Sequence, residues 1–173
     1  MKTQVFPEQN ERKKTYMTKE VINEKIALEI PEGFQVMSAD DLYKLYQENN
    51  FDRWGIWDRD RHIVITVSWQ RVPALLSVLA DVKSIAKRNQ QLAAKGYAGH
   101  NYREEGLFST EADNVHLEGY RFSYDLQDFR QKAETLLMKY EKMIYNFTCV
   151  SREESAAEGS ELFRNLIDGM KLD

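Results

Sequence analysis

The chain has one cysteine, Cys149, and only three prolines in its 173 residues. A single cysteine excludes an internal disulfide, so the fold must be held by its core. Because free cysteine is among the most buried residue types, we predict that Cys149 packs in that core and is not a nucleophile. Cysteine use of this kind is typical of a reducing compartment, and we expect a cytoplasmic location.

Long apolar runs, glycine-rich motifs and blocks of one charge are also missing. No window approaches the roughly 18 apolar residues of a membrane helix, and MKTQVFPEQNERKK at the start has no leader-like apolar run. The eight glycines never form GxGxxG. The 28 acidic and 24 basic residues are mixed along the chain, for a net charge of −4. We therefore expect no membrane span and no nucleic-acid partner.

Groupings that would hold a metal or a cofactor are equally scarce. The three histidines are far apart, and none has a metal-ligand spacing. His62 with Asp58 and Asp60 could bind a cation, although a solvated turn is the preferred interpretation. The carboxylates cluster at predicted helix starts, where they stabilise helix dipoles. We expect no metal, no cofactor and no catalytic residues.

What is present is the patterning of an α+β protein. The polar residues 1–15 predict a flexible arm, and residues 16–173 predict a single domain. Hydrophobic periodicity predicts strands, a short helix, a hairpin, a long helix, four more strands and a last helix. Strands joined by short turns favour a mainly antiparallel sheet flanked by helices on both faces, an α/β/α sandwich.

Helix boundaries follow from capping signals. SADD at 38–41 and SREE at 151–154 each have the pattern of a capping box, and a helix is predicted to begin at each. Pro73 predicts the start of the long helix, and Gly96 predicts its end. Gly159 inside the last helix indicates close packing against another backbone.

The stretch RWGIWDRDRHIVITVSWQRV, residues 53–72, contains all three tryptophans. Its two alternating segments flank the polar DRDR, which predicts a β-hairpin. Since side chains alternate between the faces of a strand, Trp57 points away from Trp54. Trp57 is therefore either exposed or covered by a helix.

The segment EKIALEIPEGFQVMS, residues 24–38, is a strand that runs into a Pro-x-Gly-aromatic break at Ile30–Phe34. Together with the element order, it resembles the PsbP-like fold superfamily over about residues 16–171, in particular the DcrB-like and type VI effector-chaperone-like branches. The resemblance implies an antiparallel sheet sandwiched by helices and a non-catalytic binding role. Because those branches bind different partners with different surfaces, it assigns no functional residue.

We therefore predict a cytoplasmic adaptor that recognises a protein partner through an aromatic sheet or hairpin surface. Tyrosine and tryptophan supply large contact area at little entropic cost. The predicted contact residues are Phe51, Trp54, Trp57 and Phe129.

Two alternatives remain open. The first is an enzyme of small substrates with a pocket between sheet and helix that uses His62, Arg121 and Tyr124. The second is an immunity or effector-associated protein, which is a binding role with a toxin as partner. A homodimer through an aromatic patch or an unpaired edge strand is compatible with either binding role.

Overall fold

The structure is a computed structural model that describes residues 18–47, 52–73 and 81–173. The predicted arm at 1–15 and the predicted contact Phe51 lie outside these residues and stay predictions. The described helices and strands are β1 (Thr18–Ile22), β2 (Ile26–Ile30), β3 (Gln35–Val36), α1 (Ala39–Tyr46), β4 (Arg53–Asp58), β5 (Ile63–Arg71), α2 (Val82–Gly96), β6 (Arg103–Ala112), β7 (Val115–Leu126), β8 (Phe129–Tyr140), β9 (Met143–Arg152), α3 (Ala156–Asp168) and β10 (Lys171–Leu172).

The strands form two antiparallel sheets. The large sheet has the order β3-β4-β5-β9-β8-β7-β6, and the small one has the order β1-β2-β10. Strands β6 to β9 are joined by tight turns in which Asp113, Asn114, Gln127 and Glu141 adopt positive φ. Polar residues tolerate this left-handed conformation better than β-branched ones, so the turn sequences specify the pairing of neighbours.

One face of the large sheet carries the main core. Helix α3 and the small sheet cover it, and Ile65, Phe147 and Phe163 are among the side chains buried there. On the other face, α2 packs on a second core that contains Ala86 and the aromatic row of β7. Helices on both faces confirm the predicted α+β sandwich. The sequence analysis did not separate the small sheet that lies beside α3.

The two predicted capping boxes had different outcomes. Ser38 caps α1 as predicted: its hydroxyl accepts from the Asp41 amide at 3.1 Å, and the Asp41 carboxylate accepts from the Ser38 amide at 2.9 Å. The prediction for SREE is wrong, because Ser151 is buried and paired with Ile63 in the sheet. Strand β9 continues to Arg152, a 3₁₀ turn follows, and α3 begins only at Ala156.

The described part of the predicted long helix begins at Val82, and the predicted start at Pro73 stays a prediction because residues 74–80 lie outside the described residues. Asp81 has an extended backbone (φ −80°, ψ 121°), and its carboxylate accepts from the amides of Lys83 and Ser84. Asp81 is therefore the N-cap of the described helix. Gly96 is the last helical residue, as predicted.

The Pro-x-Gly-aromatic break is a turn that packs against the tip of the β4–β5 hairpin. Gly33 has φ +89°, and a Cβ atom there would lie 2.7 Å from Asp58 Oδ2. Arg61 holds the junction, donating to the Glu32 carbonyl at 2.6 Å, to Asp58 Oδ2 at 2.7 Å and to Glu158 Oε1 at 2.7 Å. Arg61 therefore joins the tip of the hairpin to the turn after β2 and to α3.

The contact between β9 and α3 is close, as Gly159 indicated. A Cβ atom on Gly159 would lie 3.2 Å from Ser151 Oγ. Cys149 is buried there as predicted, and its Sγ donates to the Gly159 carbonyl at 3.6 Å. Burial raises the pKa of the thiol well above its usual range, so Cys149 is protonated at physiological pH. No described helix is long and apolar enough to cross a bilayer.

Candidate binding cleft

A cleft of about 800 Å³ lies on the face of the large sheet that carries α1 and α2. Its floor is made by the side chains of β5 and β9 that point to this face: Val64, Thr66, Ser68, Asn146, Thr148 and Val150. Its walls come from α1, β4, β7 and the residue after α2, which contribute Leu45, Tyr46, Trp57, Tyr97, Tyr124 and Leu126.

The cleft exists because the side chains of β5 and β9 are bulky on one face of the sheet and small on the other. Toward the main core they present bulky side chains such as Ile65 and Phe147, which are fully buried. Toward the cleft they present small ones, with Thr66 paired with Thr148 across the two strands. Small side chains in the middle of a sheet leave an open space between the flanking helices.

Two tyrosines shape the walls through specific contacts. The Tyr46 hydroxyl donates to Thr66 Oγ1 at 2.8 Å and so ties α1 to the floor. Tyr97 stacks on Tyr124 with ring centroids 4.1 Å apart. Burial raises the pKa of Tyr46 and, together with the neighbouring Tyr97, that of Tyr124. Both phenols are therefore neutral at physiological pH.

Three arginines line the cleft, and each guanidinium lies over an aromatic ring. Arg53 stands 4.0 Å from the ring centre of Tyr46, Arg59 stands 4.0 Å from that of Trp57, and Arg152 stands 3.5 Å from that of Phe129. Cation–π contacts at these distances fix the orientation of long side chains that would otherwise move freely.

One polar atom of the floor lacks a partner. Asn146 Oδ1 is buried and accepts no hydrogen bond from the described residues. A buried acceptor without a donor is destabilising by about 1–3 kcal/mol.

The three predicted contact residues that the structure describes do not form one surface. Trp57 is half-buried and lines the cleft. Trp54 is on the opposite face, where it packs against the main core, so its predicted contact role has no support. Phe129 is 39% exposed at the start of β8, under Arg152 and beyond the lining residues. The prediction thus found one wall residue of the cleft.

The residues of the enzyme alternative are also separated. His62 and Tyr124 line the cleft. Arg121 projects from the other face of β7, over the ring of Phe108 at 3.7 Å and bound to Glu134 at 2.6 Å. Within the three described segments, no group of three His, Cys, Asp or Glu side chains could hold a metal ion.

The sequence analysis missed the floor and most of the walls. A signal was available in β5 and β9, where bulky apolar residues alternate with Thr, Ser and Asn. Central strands with one bulky and one small polar face indicate a cavity on the small face. The positions of Tyr46 and Tyr97 depend on how α1 and α2 are placed, which periodicity does not specify.

This chain is similar to known proteins in its fold and not in its sequence. No family pattern and no curated protein matches the sequence. The cyanobacterial PsbP protein CyanoP of Synechocystis superposes with a TM-score of 0.65 at 10% identity, covering 91% of this chain and 92% of its own.

Two further solved structures agree with this result. LpqN of Mycobacterium tuberculosis, described as involved in cell envelope biogenesis, has a TM-score of 0.57 at 11% identity and covers 85% of this chain and 82% of its own. A protein of Bacteroides thetaiotaomicron has a TM-score of 0.53 at 8% identity and covers 86% of this chain and 45% of its own. Identity this low shows the fold alone, and the chain has the PsbP-like fold.

Proposed function

We propose that this protein is a non-catalytic binding module that holds an apolar segment of a protein partner in the cleft. The observation that carries the proposal is an open, aromatic-walled cleft of about 800 Å³ on the sheet. Clefts of about 300–1,000 Å³ with mostly apolar walls and a few polar groups are typical of binding sites.

Exposed apolar surface around the cleft supports a macromolecular guest. Leu45 and Leu126, on opposite walls, are 47% and 50% exposed, and Trp57 is half-buried beside them. Covering a large side chain contributes on the order of 2–3 kcal/mol at about 25 cal/mol per Å², before the entropy of ordering the partner is subtracted. A segment that covers all three would thus bind without any covalent chemistry.

Several polar groups near the cleft are engaged in structural contacts, which also favours binding over catalysis. The Tyr46 and Thr66 hydroxyls bond to each other, and Thr148 bonds to Thr135 at 3.2 Å. The Cys149 thiol belongs to the opposite face, under α3. We further propose that the module acts in the cytoplasm, in line with its cysteine content.

The proposal is tested by affinity capture with a matched pair of variants. Trp57→Ala removes a wall of the cleft, whereas Tyr43→Ala removes an aromatic ring that is 48% exposed on α1 and outside the cleft lining. We expect a polypeptide that co-purifies stoichiometrically with the wild type and with Tyr43→Ala and is lost with Trp57→Ala. Mass spectrometry identifies it.

Equal recovery by all three proteins would place the binding surface elsewhere. Recovery of no polypeptide, together with turnover of a metabolite by the purified protein, would favour the enzyme alternative.

A further inference from the structure

We propose that the guest segment is acidic: its apolar side chains fill the cleft while an Asp or Glu carboxylate binds at one end, between Arg59 and Arg152. This inference rests on the proposed function and adds the chemistry of the partner to it.

The backbone brings these two arginines to the same end of the cleft. The His62 amide donates to the Arg59 carbonyl at 3.3 Å, and the Arg152 amide donates to the His62 carbonyl at 3.3 Å. His62 therefore links the turn after β4 to the end of β9. Both arginines line the cleft, with Trp57 under one and Phe129 under the other.

This end of the cleft is basic on a protein whose net charge is −4. Asp58 is the single carboxylate among the described lining residues, and Arg61 occupies it through a guanidinium bond at 2.7 Å and an amide bond at 2.9 Å. Arg152 pairs with Glu154, an exposed carboxylate, at the long distance of 4.0 Å. Asp41, whose pKa is lowered mainly by hydrogen bonds from Ser38 and to a lesser degree by Arg59, is occupied in capping α1. An acidic partner would complement the remaining positive charge.

Stacking on rings prepares the guanidinium groups for a carboxylate. A guanidinium that covers a ring with its face keeps its N–H edge available in the same plane. That edge matches the two oxygens of a carboxylate, and such charge-assisted pairs are about twice as strong as neutral hydrogen bonds. The rings also reduce the entropy that each arginine loses on binding.

The floor favours a peptide over an acidic lipid. Ser68 and Asn146 are polar side chains of the floor, which an acyl chain in the cleft would contact. Hydrocarbon supplies no donor and would leave these groups desolvated, whereas peptide N–H groups can satisfy them.

The test is selection from a random peptide library displayed on phage, panned against the full chain and then against Trp57→Ala. We expect Trp57-dependent clones to be enriched in Asp or Glu flanked by apolar residues. Fluorescence anisotropy then compares the best peptide with its Glu→Gln analogue. Because bonds between charged groups are the strong ones, the acidic peptide should bind the wild type about tenfold tighter.

That preference should fall to near unity in Arg59→Gln and in Arg152→Gln. Arg121→Gln is the matched control, since Arg121 also stacks on a ring, Phe108, but on the other face of the sheet. It should keep the full preference, and circular dichroism verifies that all variants are folded.

Any other outcome would refute the acidic guest, the proposed function, or both. Neutral or basic clones that depend on Trp57, or equal affinity for the Glu and Gln peptides, would refute the acidic guest while leaving the proposed function intact. Clones that bind Trp57→Ala as well as they bind the wild type would refute both the acidic guest and the proposed function. Trp57-dependent binding of sodium oleate with no peptide enriched would assign the cleft to a lipid and refute both as well.

Discussion

Trp57 and Trp54 are close in sequence and lie on opposite faces of β4. Trp57 borders the cleft and belongs to neither core, whereas Trp54 packs against the main core. Trp57→Ala should therefore shift the melting temperature by less than about 3 °C, as expected for a side chain outside the core. Trp54→Ala should lower it by roughly 5–10 °C, since removing a packed tryptophan is destabilising by about 2–4 kcal/mol.

Thermal unfolding followed by circular dichroism measures both shifts. A large loss for Trp57→Ala would show that this ring supports the fold, and would remove it from the cleft surface available to a partner.

Asp58 has a pH signature that can be measured without a bound partner. Burial disfavours its charge, but hydrogen bonds from the Arg61 amide and guanidinium outweigh burial and hold the pKa of Asp58 below its usual value. A lowered native pKa stabilises the fold above the unfolded value of about 3.9, and this stabilisation is lost as the pH falls through the native pKa.

Asp58→Asn should therefore be less stable than the wild type at pH 7, with a difference that shrinks below about pH 4. Urea unfolding of both proteins across this range measures it. Asp81 and Asp125 also have lowered pKa values and contribute to acid unfolding of both proteins, so the difference between the two proteins is the informative quantity. A difference in stability that does not change with pH would show that the charge of Asp58 does not stabilise the turn.

At the scale of elements, the Pro31–Gly33 turn is the joint that positions the β4–β5 hairpin. Gly33→Ala places a Cβ in the left-handed region and within 2.7 Å of Asp58 Oδ2. The backbone conformation alone is unfavourable by about 1–2 kcal/mol for a residue other than glycine. We expect a melting temperature lower by roughly 3–6 °C.

Gly99→Ala is the matched control, because nothing lies within 4 Å of its Cβ position and its φ is not positive. Its melting temperature should equal that of the wild type. Equal effects of the two substitutions would contradict the role of the turn as a joint.

The two helix starts offer a second comparison at this scale. Ser38 caps α1 through its side chain, whereas Ser155 precedes α3 without a side-chain cap bond. Ser38→Ala should lower the free energy of unfolding by about 1 kcal/mol, and Ser155→Ala should leave it within about 0.5 kcal/mol of the wild-type value. Chemical denaturation measures both, and the reverse order would refute the capping assignment.

At the scale of the whole molecule, local patterning was enough to predict the fold class. Alternation in β5, β7 and β9 and the polar turns between strands indicate antiparallel pairs without tertiary information. The break at Pro31–Phe34, together with element order, indicated the PsbP-like fold, which the structural comparison supports.

The cleft could not be predicted in the same way because it depends on contacts between distant elements. Its walls come from α1, β4, β7 and the residue after α2, and no local signal indicates that Tyr46 and Tyr97 face the same space. Trp54 could not be assigned from the sequence for a related reason. A tryptophan in a hairpin has the same local sequence pattern whether its face of the sheet is exposed to solvent or covered by a helix and a second sheet.

Site-specific photo-crosslinking in cells tests the central claim, that the cleft holds a protein partner, most directly. A benzophenone amino acid is placed at position 57 in the cleft wall or, as control, at position 43 on the exposed side of α1. We predict one discrete adduct, identified by mass spectrometry, from position 57 and none from position 43. An adduct from position 43 alone, or none from position 57 beside a partner crosslinked from another surface, would contradict the claim.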